Sequence, residues 1–86
     1  MPFNLDNALL KSFIAISETR NFTEAANAVG RSQSALSLHI KKLEDTIDCK
    51  LFSRSSRSVL LTQQGELFLG YARKIVALQW EAYIKL

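Results

Sequence analysis

The sequence has only one cysteine, one histidine, one proline and three glycines, and each scarcity excludes something. A single thiol cannot close an intrachain disulfide, and one Cys with one His is too few for a closed structural zinc site. The same scarcity of cysteine fits a reducing, cytoplasmic compartment. So little glycine and proline argues against an all-β fold with many tight turns and favours helices. No run approaches the roughly 18 apolar residues of a membrane span, so a membrane partner is not expected. Met1 to Leu10 lack a basic segment followed by a sustained apolar one and do not read as a signal peptide. There is no internal repeat and no low-complexity stretch.

What is present points to one small domain. The chain has 86 residues, 48% of them hydrophobic, with five Phe, two Tyr and one Trp. That apolar content excludes a disordered tail. A domain of this size buries only roughly 60–65% of the surface its unfolded chain exposes, so the core is thin. The net charge of +3 is small, but it is unevenly placed. Arg31, Lys41, Lys42, Lys50, Arg54 and Arg57 face only Glu44, Asp45 and Asp48 in the middle third, and no acid occurs from Cys49 to Gly65. A localised basic patch is the footprint of a phosphate-binding face; an ordinary solvated surface is the alternative.

Periodicity predicts four helices and one hairpin, a mostly α fold. Leu9, Leu10, Phe13, Ile14 and Ile16 recur at helical spacing, with Asn4 or Asp6 as N-cap. Thr23 is the expected cap of a short second helix, Glu24 to Val29, which Gly30 ends in the left-handed conformation. Ser32 caps a third helix, about 32–48, whose stripe Leu36, Ile40, Leu43 and Ile47 opposes Ser34, Ser37, Leu38, Lys41 and Asp45. Leu51-Phe52 and Val59-Leu60-Leu61 flank a Ser/Arg-rich turn, the pattern of a minimal β-hairpin over about 52–61. Thr62 caps a last, long helix. Phe68, Tyr71, Ile75, Leu78 and Ala82 form a coiled-coil-like seam on it, and Leu69, Ala72, Val76, Trp80 and Tyr83 form a second stripe. A helix apolar on two sides packs on its own domain with one and on a partner with the other, most simply a second copy.

This order is that of a winged helix-turn-helix. Phe22-Thr23-x-Ala25-Ala26, Ser32-Gln33-Ser34-Ala35-Leu36-Ser37, Ile40, Leu43-Glu44, Leu51-Phe52-x-Arg54, Arg57-x-Val59 and Leu61-Thr62-x-x-Gly65 closely resemble the N-terminal DNA-binding region of LysR-type transcriptional regulators. The resemblance runs from Leu9 into the terminal helix. It implies a winged domain over 1–61 and a linker or dimerisation helix over 62–86. Four positions depart from the family pattern. Asp48 stands where glycine usually ends the third helix, and aspartate tolerates the left-handed turn at modest cost. Ser56 replaces a wing glycine, Val29 a leucine, and Leu38 a polar or basic residue.

The resemblance implies double-stranded DNA as partner, read by a homodimer on an inverted repeat. The third helix enters the major groove and the wing lies on the minor groove or backbone. Carried over, Gln33, Ser34, Ser37 and Leu38 face base edges. A glutamine amide can pair with adenine, serine with either kind of base pair, and leucine only with a thymine methyl. Thr23, Arg31, Ser32, Lys41, Lys42, Arg54 and Arg57 are the backbone contacts. For Arg54 an ion pair with Glu44 is the alternative, and for Lys42 plain solvation. The dimer interface falls on Phe68, Tyr71, Ile75, Leu78 and Ala82. Full-length relatives continue into an α/β domain that binds a small effector, so an effector site is expected only in such a domain.

Other readings are weaker. There is no phosphate-binding glycine loop, no metal constellation and no nucleophile beside a base, so an enzyme and a cofactor are not expected. His39 reads as a packing or rim residue, lone Cys49 as inert, and Trp80 as packing or an interface anchor. A helical dimerisation or protein-interaction module that has lost DNA binding is the competing function. The basic middle third and the intact Gln33-Ser34-x-x-Ser37 face count against it.

Overall fold

The computed structural model describes residues 5–54 and 59–86, with the side chain of Arg54 excepted. Asn4, Ser56 and Arg57 lie outside the described residues, as do the contacts expected of the Arg54 side chain. Four helices and a two-stranded sheet follow in the order α1 (Asn7–Thr19), α2 (Phe22–Val29), α3 (Gln33–Ile47), β1 (Phe52–Arg54), β2 (Val59–Leu61) and α4 (Gln63–Lys85). The strands are antiparallel, with Phe52 opposite Leu61 and Arg54 opposite Val59.

Local chemistry sets most boundaries. The Asp6 carboxylate accepts from the Ala8 N–H at 2.8 Å and starts α1. Gly30 ends α2 at φ 70° and Asp48 ends α3 at φ 64°, so aspartate does take the left-handed turn. One boundary differs from the sequence reading: Asn21, not Thr23, caps α2, accepting from the Glu24 N–H at 3.0 Å. Both residues are good caps. Phe22 decides between them, because it packs against the core and is drawn into the first helical turn.

The core is a three-helix unit closed by the wing and the start of α4. Phe13, fully buried, lies 5.3 Å from the Phe52 ring and 5.2 Å from the Phe68 ring. It thereby joins α1, the wing and α4 through two ring contacts, a tilted one with Phe52 and an edge-type one with Phe68, at the centroid separations that aromatic pairs prefer. Ala25 and Ala26 are buried and small, which lets α2 lie close to its neighbours. Leu36, Ile40 and Leu43 are the buried stripe of α3, as their spacing predicts.

α4 is anchored at its start by Gly65. The Thr62 N–H donates to the Leu51 carbonyl at 3.0 Å, and the Thr62 hydroxyl donates to the Lys50 carbonyl at 2.6 Å. This draws the helix so close that a Cβ at position 65 would stand 2.1 Å from the Leu51 oxygen. Only glycine fits there.

Candidate nucleic-acid interface

α3 presents a second face. Opposite its buried stripe, Gln33, Ser34, Leu38, Lys41 and Lys42 are exposed, while Ser37 is half-buried. Ser32 has an extended backbone and its hydroxyl accepts from the Ala35 N–H at 3.1 Å, so the helix begins with Gln33. From that first helical position the Gln33 side chain reaches back to α2, where its Nε2 donates to the Thr23 hydroxyl oxygen. Thr23 is in the first turn of α2, whose positive dipole end favours a phosphate. A base-reading candidate and a backbone candidate are therefore directly joined.

The cations divide by their surroundings. Arg31 and Lys42 are exposed and have no acidic partner among the described residues. Lys41 lies 3.8 Å from Asp45, but both side chains are at least 70% exposed. Such a pair is worth little and leaves the ammonium available. Leu38 is 67% exposed on this polar face and borders a shallow depression with Lys41, Lys42, Asp45 and Thr46. Ser37 opens instead into a cleft between α3 and the wing, lined also by Lys41, Glu44, Lys50 and Phe52.

Glu44 positions the wing. Its Oε2 accepts from the N–H of Leu51 at 2.8 Å and of Phe52 at 3.3 Å, and Lys50 Nζ lies 3.7 Å from Oε1. A carboxylate accepting backbone N–H bonds makes the stronger, charge-assisted kind of hydrogen bond. The link holds β1 at a set distance from α3. On the other side, buried Ser12 of α1 meets His39 Nδ1 at 2.7 Å, so His39 packs α3 onto the domain. Periodicity signals neither contact, because each reaches beyond the helix that carries it.

The predicted seam of α4 splits along the helix. Phe68 and Ile75 pack against their own domain, while Tyr71 and Leu78 are 57% and 62% exposed and Ala82 is exposed. The second stripe splits likewise. Leu69, Ala72 and Val76 join the core, but Trp80 and Tyr83 are 63% and 73% exposed, with rings stacked 5.5 Å apart. Leu67 and Ile84 are also exposed and belong to neither predicted stripe. Among the described residues no cluster of His, Cys, Asp or Glu could hold a metal ion, and no helix is long and apolar enough to cross a membrane.

Comparison with known proteins fits this geometry. The family model described as bacterial regulatory helix-turn-helix protein, lysR family, matches residues 8–66. The chain belongs to the LysR family of bacterial helix-turn-helix regulators. It is 48% identical over 79 residues to the HTH-type transcriptional regulator PecT of Dickeya dadantii (strain 3937), covering 92% of this chain and 25% of that protein. It is 47% identical over 79 residues to DgdR of Burkholderia cepacia, covering 92% of this chain and 27% of that regulator. The chain thus spans about a quarter of the length of these relatives. Among solved structures, a CbnR_DBD–DNA complex aligns at TM-score 0.90 and 32% identity, over 94% of this chain and 93% of that one. The winged helix-turn-helix expected from the sequence is the observed fold.

Proposed function

We propose that this chain is the DNA-reading module of a LysR-type transcriptional regulator. The single observation that carries the reading is the outer face of α3. There an exposed row of two polar residues and one apolar residue, Gln33, Ser34 and Leu38, is flanked by exposed Arg31, Lys41 and Lys42 and lies beside the N-terminus of α2. Side chains on such a helix reach base edges in the major groove, while cations and helix N-termini take the phosphates. Similarity to a domain solved on DNA supports the same assignment. Glu44 sets the distance from α3 to the wing, where Arg54 and Arg57 would follow the backbone of the neighbouring groove. Two copies, joined through the exposed part of α4, would read the two halves of an inverted repeat. Effector binding belongs, on this reading, to the remaining length of such regulators.

Salt dependence of duplex binding tests the proposal. A dimer engaging roughly six to eight phosphates should lose affinity with a slope of about −5 to −7 in log K against log salt. The slope is measured by fluorescence anisotropy on a duplex selected from a random pool. A slope near zero would overturn the reading.

A further inference from the structure

We infer that Thr23 is a specificity-determining positioning residue: it sets which way the Gln33 amide faces and thereby makes the position Gln33 reads select adenine over guanine. The inference rests on the DNA-reading assignment of α3 and goes beyond it by giving a backbone candidate a role in base choice.

The geometry begins with the hydrogen bond from Gln33 Nε2 to the Thr23 hydroxyl oxygen. A primary amide has two N–H donors on one side and a carbonyl acceptor on the other. With one N–H given to Thr23, Gln33 still offers one N–H and its oxygen. These are the donor and acceptor that adenine N7 and N6 require. Turned over, the amide would accept from Thr23 through its oxygen and point both N–H groups outward. Two donors match guanine, whose major-groove edge carries the acceptors N7 and O6.

A free hydroxyl does not choose between these states, because it both donates and accepts. A phosphate does choose. Thr23 is exposed in the first turn of α2, where the N-terminal end of the helix favours an anion. A phosphate oxygen only accepts, so the Thr23 proton goes to it and the hydroxyl oxygen can then only accept from Gln33. The backbone contact thereby locks the amide in the orientation already present in the structure. No residue other than Thr23 is bonded to the Gln33 side chain among the described residues, so nothing else holds that orientation.

The test uses the whole 86-residue chain, the single variants Thr23→Val, Thr23→Ser and Gln33→Ala, and the double variant of Thr23→Val with Gln33→Ala. Sequences are selected from a random duplex pool for the wild type and each variant. Affinities are then measured on duplexes differing only at the position whose preference Gln33→Ala abolishes. The wild type is expected to prefer adenine over guanine there by about ten-fold, within the range of a bidentate contact. Thr23→Val, which keeps shape and loses the hydroxyl, should bring that ratio below about three-fold, and Thr23→Ser should restore it. The salt slope should not change, because a neutral hydroxyl releases no counterion. In the Gln33→Ala background, Thr23→Val should leave every base preference unaltered. Thermal unfolding checks that each variant is folded, and Thr23→Ala serves if the valine variant is not.

Equal weakening on all four bases by Thr23→Val would overturn the inference, since that is the behaviour of a plain phosphate contact. An unchanged adenine-to-guanine ratio, or a wild type with no adenine preference at that position, would also overturn it. In both cases the DNA-reading assignment would stand on the wild-type salt slope. Absence of salt-dependent binding by the wild type would remove the two together.

Discussion

α3 and α4 are the two longest helices, and both carry apolar residues at helical spacing, but they leave different faces open. The buried stripe of α3 is met by its own domain over almost its whole length, and what remains outside is polar or cationic apart from Leu38. α4 buries Gly65 and Ala72 and half-buries Phe68, Leu69, Ile75 and Val76, and then runs on with Leu78, Trp80, Tyr83 and Ile84 exposed. The open face of α3 suits a charged, hydrated polymer. Contiguous exposed aromatic and aliphatic side chains suit protein, since water leaves such a patch at a gain of about 25 cal/mol per Å². On the function proposed above, the two helices divide recognition from assembly.

The contrast is broken most completely at the root of α4. Gly65→Ala places a methyl group against the Leu51 carbonyl, a backbone atom that cannot swing aside. The junction of wing and helix has to open, and a loss of about 3 kcal/mol is expected from urea unfolding, comparable to strong overpacking. Gly70 lies five residues on in the same helix, and a Cβ there would meet nothing within 4 Å. Gly70→Ala should therefore stabilise by about 0.5–1 kcal/mol through helix propensity alone. If the two substitutions shift the unfolding midpoint in the same direction, the close approach at Leu51 is not what requires glycine at position 65.

The next largest effect separates the two halves of α4. Leu78→Ser and Tyr83→Ser alter exposed side chains, so the monomer should unfold within about 0.5 kcal/mol of the wild type. On the dimer reading each should raise the dissociation constant about ten-fold or more in sedimentation experiments, the cost of an interface anchor. Phe68→Ala lies in the same predicted seam but packs on Phe13. It should instead cost about 3 kcal/mol of fold stability. A dimer indifferent to Leu78 and Tyr83 would place assembly elsewhere.

Most of the fold was legible where the cause is local. The α3 stripe follows from 3.6-residue periodicity, Gly30 and Asp48 from their tolerance of the left-handed region, and Ser32 and Thr62 from capping chemistry. The α2 cap was misplaced by two residues because Asn21 and Thr23 are equally suitable. The choice is made by packing of Phe22, a tertiary effect. The split of α4 was hidden for a related reason: spacing reports which residues share a side of a helix, not where the neighbouring domain stops. The Glu44 bonds to Leu51 and Phe52 tie α3 to the start of the wing, and the pairs Ser12–His39 and Thr23–Gln33 join different helices. Residue type alone offered Glu44 as the alternative ion-pair partner of Arg54, and assigned Thr23 and Gln33 separate roles.

Leu38 tests the finest point of the contrast, because it is the one large apolar side chain on the open face of α3. At 67% exposure it contributes little to the core, so Leu38→Ala should leave stability within about 0.5 kcal/mol of the wild type. Its aliphatic side chain has no donor or acceptor to offer a base. The only base feature it can distinguish is the thymine methyl, through apolar contact. The expected result is a loss of about 1 kcal/mol on the selected duplex, confined to one base pair, with an unchanged salt slope because no charge is removed. Competition among four duplexes varied at that base pair reads it directly. Uniform weakening at all four would mean that Leu38 only fills space against the groove, and that base choice on this face rests on the polar residues around it.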